Sequence, residues 1–89
     1  MKVKKNTKIR LSTGHLLVLW DVIANKLSGS PFMDSLSEED RRAIWALQDL
    51  SEAEIVKLGI GPKPEKDWEL LMATARKHVR TIPVEFLAG

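Results

Sequence analysis

The most apolar stretch of the chain is 16–27, LLVLWDVIANKL. On a helical wheel at about 100° per residue, Leu16, Leu19, Trp20, Ile23, Ala24 and Leu27 form one broad stripe with the spacing of a core-facing helix. Leu17, Val18 and Val22 extend the apolar cover around most of the remaining circumference, and His15, Asp21, Asn25 and Lys26 mark the wet edges. A helix apolar nearly all round is buried on several sides. Val18, Val22 and Ile23 are β-branched and would also suit a strand, but the run of about a dozen residues and the N-cap candidates Ser12 and Thr13 select a helix. The pattern predicts a first helix over 13–27, around which the other elements wrap.

Ser28-Gly29-Ser30-Pro31 reads as a helix stop, with Gly past the last periodic residue and Pro after it. Phe32 and Met33 are expected to tuck back onto the core from this loop. A second helix, 38–50, opens with Ser37 ahead of Glu38, Glu39 and Asp40, a hydroxyl cap before three acids at the positive end of the helix dipole. Its inner stripe is read as Ala43, Ile44, Leu47 and Leu50. Trp45 falls about 160° from the centre of that stripe, among Arg41, Arg42, Gln48, Asp49 and Glu52.

Ser51-Glu52-Ala53-Glu54 repeats the cap grammar as a Ser-x-x-Glu box, which starts a short helix at 52–58 or a kinked continuation of the second helix. Gly59 and Gly61, then Pro62 and Pro64, end it. The last helix, 64–80, has Pro64 at its first position, acids early and Arg76, Lys77, His78 and Arg80 late. Its single apolar face is Trp68, Leu71, Met72, Ala75 and Val79. Beyond it, Pro83 turns 82–87 extended, and the alternation of 8–12 predicts a second short extended segment at the other end. The stretch 49–60, DLSEAEIVKLGI, resembles the L-[ST]-E-x-[DE]-L-x-x-L-G-I segment of sterile alpha motif domains, which are small helical interaction modules. The likeness covers these dozen residues, mostly the capping box and the Gly stop, and no function is carried over from it.

Composition narrows the class of protein. A chain of 89 residues makes one domain, and its apolar (44%) and charged (29%) fractions are those of a soluble globular fold. Cysteine is absent, which removes disulfides and thiolate metal sites. A Lys-rich start before an apolar run invites a signal-peptide reading, but Asp21 interrupts the run and no small-residue cleavage site follows. The uninterrupted apolar segment 16–20 is far short of the roughly 20 residues a bilayer span needs. The expected location is cytoplasmic, away from membranes. The net charge of +2 is divided unevenly: the first ten residues hold five cations and no acid, and the rest sets nine Lys and Arg against 12 Asp and Glu. Residues 1–7 are expected to form a basic arm and 8–89 a single compact helical domain.

Candidate chemistry is sparse. His15 and His78 each lack a His or acid at the i+3 or i+4 spacing of a helical metal pair. Asp21 is the only acid inside the apolar helix, and one acid is not a catalytic site. Glu38, Glu39 and Asp40 are better explained as helix capping than as metal ligands, and 12–14 lacks the Gly and Lys spacing of a phosphate loop. No cofactor is implied and no enzyme is expected. An exposed Trp among charges suits an interface anchor, so the candidate interaction residues are Trp45, Arg41, Arg42 and Gln48, with Val84 and Phe86 in the apolar tail. The alternative is nucleic-acid contact through Lys2, Lys4, Lys5, Lys8 and Arg10, whose charges could neutralise phosphates. The sequence thus predicts a mainly α fold, a small bundle of three principal helices plus the short one at 52–58. Its expected role is a non-catalytic interaction or regulatory module, partnered by another protein or by itself as a homodimer.

Overall fold

A computed structural model describes residue 6 and residues 8–81. The fold is mainly helical. Helix α1 spans Thr13–Asp21 and continues as a π-helical segment, Val22–Leu27; α2 is the single turn Pro31–Asp34; α3 spans Glu38–Lys57 and α4 Glu65–Thr81. Among the described residues there is no strand: 8–12 carries no regular structure, with the Ser12 backbone extended (φ −67°, ψ 158°) as it enters α1. The tail 82–87, with Val84 and Phe86, lies outside the described residues, as do Lys2, Lys4 and Lys5 of the arm.

The α1 start follows from its cap. Ser12 Oγ accepts the His15 backbone N–H at 3.1 Å, satisfying a donor that a helix beginning leaves without a partner. Past Asp21 the ladder widens, and the Ser28 N–H reaches the Ile23 carbonyl at 3.0 Å, five residues back. Gly29, at φ +74°, supplies the left-handed turn that lets the chain leave, and Ser30 caps the Pro31 turn of α2. Met33 tucks back and is buried as expected, whereas Phe32 points outward.

The short helix at 52–58 is not separate. One helix, α3, runs from the Ser37 cap through Ser51 to Lys57. No Gly or Pro interrupts 38–58, and the Ser51 hydroxyl donates to the Leu47 carbonyl at 2.7 Å instead of capping a new start. The true stop is a Schellman motif. Gly59 sits at φ +79°, its N–H reaches the Val56 carbonyl, and the Ile60 N–H reaches the Ile55 carbonyl. Pro64 is the N-cap of α4 and not its first helical residue, because its carbonyl accepts the Trp68 N–H at 3.0 Å.

Helices α1 and α4 run antiparallel: Gly14 lies against Ala75 and His78, and the Trp20 and Trp68 rings meet edge to face at 5.5 Å. The central cluster is Leu17, Ile55, Met72 and Ala75, one or two residues from each long helix, with Leu16, Val18, Leu71 and Ile60 packed around it. Leu17 is the most buried of these at 2% exposure, although the periodic stripe of α1 excludes it. Leu16 and Leu19, which that stripe includes, are half-buried. With helices on two sides, the α1 face that counts is the one aimed between α3 and α4. The predicted face of α4 is the observed one: Met72 and Ala75 are buried and Trp68, Leu71 and Val79 half-buried. The stripe assigned to α3 is rotated away from the core, with Ala43, Leu47 and Leu50 exposed.

Candidate interaction surfaces

The inner face of α3 is Ile44, Gln48, Ser51 and Ile55, which fall within about 60° of one another on the wheel. Ser51 and Ile55 are buried and Ile44 and Gln48 half-buried. Ala43, Leu47 and Leu50 centre about 100° away on one shoulder, and there Leu47 is 39% and Leu50 66% exposed. Trp45, 47% exposed, stands on the opposite shoulder, in line with Glu52 and Val56. The face richest in apolar residues is therefore not the face that packs. Among the sequence candidates, Trp45 is an exposed aromatic with Arg41 half-buried beside it, and Gln48 turns inward. Arg42 points away and pairs with Glu38 at 2.9 Å, both well exposed.

The Trp45 shoulder leads into a groove of 380 Å³. Its walls come from the end of α1 (Trp20), the last turns of α3 (Ile55 and Val56), the loop after the Schellman stop (Ile60 and Pro62) and the start of α4 (Trp68). Glu52 and Lys63 are its charged members. The Trp20 indole Nε1 is buried and has no hydrogen-bond partner among the described residues, a costly arrangement for a buried donor. This groove can hold an apolar group, with Glu52 and Lys63 at its polar margin. The sequence signals for it were the three-helix meeting point of Trp20 and Trp68 and the Gly59–Pro64 loop, but no local pattern says that these converge.

Two other polar contacts position α1 and α4. Asp21 binds Arg76 across the helices, and its other carboxylate oxygen accepts from Asn25 at 2.7 Å. The lone acid of the apolar segment is thus a structural link. At the opposite end, the Ser12 hydroxyl lies 2.6 Å from His15 Nδ1, and the His15 and His78 rings meet edge to face at 6.4 Å. Among the described residues, no group of three or more His, Asp or Glu could hold a metal ion. No helix among them is long and apolar enough to cross a membrane.

Lys8 and Arg10 are exposed at the root of the arm. They approach α1 at the end where it meets the C-terminal turns of α4, with Lys77, His78 and Arg80. The first turn of α3 carries three acids, and the last turn of α4 carries His78 and Arg80. The chain matches no protein-family model, no curated protein and no solved structure.

Proposed function

We propose that this chain is a non-catalytic, cytoplasmic protein–protein interaction module that associates with itself. The observation that carries the reading is the outer shoulder of α3, where Leu47 and Leu50 stand exposed on a well-formed helix. Scattered surface leucines are ordinary, but two at helical spacing beside Ala43 make a continuous apolar strip. The core adds a second reason. A chain of 89 residues buries a limited share of its surface and gains correspondingly modest stability from it. Association would stabilise it by mass action. Light scattering or sedimentation from low micromolar to several hundred micromolar protein tests the reading. A rise from monomer to dimer mass is expected, and a strict monomer over the whole range overturns it.

A second reading, nucleic-acid contact, is favoured by one observation. Lys8 and Arg10 are exposed just ahead of the end of α1 where His78 of α4 packs on His15, and the last turns of α4 add Lys77 and Arg80 near that end. Binding of this kind falls steeply with salt. A mobility shift at low salt, lost on deleting residues 1–8, would support it, and no shift at low salt would dispose of it.

A further inference from the structure

Building on self-association, we infer that two copies pair through α3 in antiparallel register, Leu47 of one against Leu50 of the other. The strip that would form the seam is Asp40, Ala43, Leu47, Leu50, Glu54 and Lys57, all exposed. Their spacing alternates three and four residues, the repeat of a two-helix seam. It runs the length of α3, about 26 Å.

The register follows from the sequence of the strip read in both directions. Pairing about a two-fold axis between positions 48 and 49 sets Leu47 opposite Leu50 of the second copy, and Leu50 opposite its Leu47, so four leucines close the centre. The same register sets Ala43 opposite Glu54, where the small residue leaves room for the Glu stem to lie along apolar surface. At both ends it sets Asp40 opposite Lys57. Each of these contacts occurs twice, as an isologous interface requires. The parallel alternative sets Asp40 on Asp40, Glu54 on Glu54 and Lys57 on Lys57, like charges at three of the six levels. The charges therefore select antiparallel pairing and penalise the other arrangement. Opposed helix dipoles favour it further, since α3 begins with Glu38, Glu39 and Asp40 and ends with Lys57. Within one chain Lys57 already meets Glu54 at 3.2 Å, so in the pair its ammonium would lie between two carboxylates.

Charge reversal with mixing tests this register. D40K alone and K57D alone each set like charges face to face at both ends of the seam. Each homodimer should weaken about tenfold relative to the unaltered chain. A one-to-one mixture of the two variants restores opposite charges at both ends, and it should recover affinity to within about threefold of the original. Because the same two folded chains appear in the single and mixed samples, any change in their own helix stability cancels. Leu50→Lys, at an exposed site distant from both helix ends, should abolish pairing while leaving the helical circular dichroism intact. If the mixture associates no better than the single variants, or Leu50→Lys dimerises like the original, this register is overturned while self-association stands. If the unaltered chain is monomeric throughout, both the register and the self-association reading fall.

Discussion

Helix α4 puts Trp68, Leu71, Met72, Ala75 and Val79 on one side and draws all five into the protein. Helix α3 is longer and also turns five residues inward, Ser51 and Ile55 buried and Arg41, Ile44 and Gln48 half-buried, yet only two of these are apolar, while Trp45, Leu47, Leu50 and Val56 stand exposed. The two helices lean on the same central helix. Their difference lies in what fixes their rotation. α4 seats along α1 over several turns, from Gly14 against Ala75 to Trp20 against Trp68, so its whole apolar face finds a partner. α3 is anchored at its C-terminal end, where Ile55 and Ile60 join the core and the Gly59 turn locks them together. A rigid helix carries that phase upstream, which places Ser51, Gln48 and Ile44 inward at four, seven and eleven residues before Ile55. The leucines fall to the side as a consequence.

This contrast can be broken at its strongest point by comparing one residue from each helix. Met72→Ala should cost about 3 kcal/mol in chemical denaturation, the usual penalty for emptying a core site. Leu50→Ala, measured at a dilution where the chain is monomeric, should stay within about 0.5 kcal/mol of the original. Equal losses at the two sites would mean that Leu50 is covered within one chain, and the asymmetry between α3 and α4 would disappear.

The seat of α4 on α1 can be sharpened at Gly14. A Cβ added there would lie 2.9 Å from the His78 ring and 3.3 Å from the Ala75 carbonyl, and the backbone oxygen cannot step aside without moving the helix. Gly14→Val should therefore cost about 2 kcal/mol through overpacking, with the loss concentrated in amide-exchange protection of α4. A change of similar size in α3 and α4 alike would show that the two helices are not seated independently on α1.

The α4 face, the Ser37 start of α3 and the glycine stops were legible in the sequence, because each depends on a periodicity or a cap that neighbouring residues complete by themselves. The inward turn of Leu17 was not, since α1 is apolar on most sides and its useful face depends on where two other helices arrive. The α3 shoulder was hidden by the same logic. A count of apolar residues favours Ala43, Leu47 and Leu50 as the inner stripe, whereas the helix is oriented by an anchor at Ile55, beyond the point where the Ser51 box suggests that it has ended. The groove between Trp20 and Trp68 joins the end of α1 to the single stretch 52–68 far along the chain, and no spacing rule connects the two.

The smallest effect tests the continuity of α3 through Ser51, because Ser37 and Ser51 present the same local grammar, a serine followed by acids, in two different environments. Ser37 is a working cap: its hydroxyl accepts the Asp40 N–H at 3.1 Å, so Ser37→Ala should cost about 1 kcal/mol. Ser51 is inside the helix, where its hydroxyl donates to the Leu47 carbonyl at 2.7 Å. That carbonyl still belongs to the helix ladder when the hydroxyl is removed, and the substitution deletes the donor along with its bond, so nothing buried is left wanting. Alanine also gains roughly 0.5 kcal/mol in helix propensity. Ser51→Ala should consequently lie within about 0.5 kcal/mol of the original, with amide protection across 52–57 unchanged. If instead it costs as much as Ser37→Ala and protection falls selectively at 52–57, Ser51 is a cap after all. Then α3 is two helices with a joint between them, and Leu47 and Leu50 no longer owe their exposure to the anchor at Ile55.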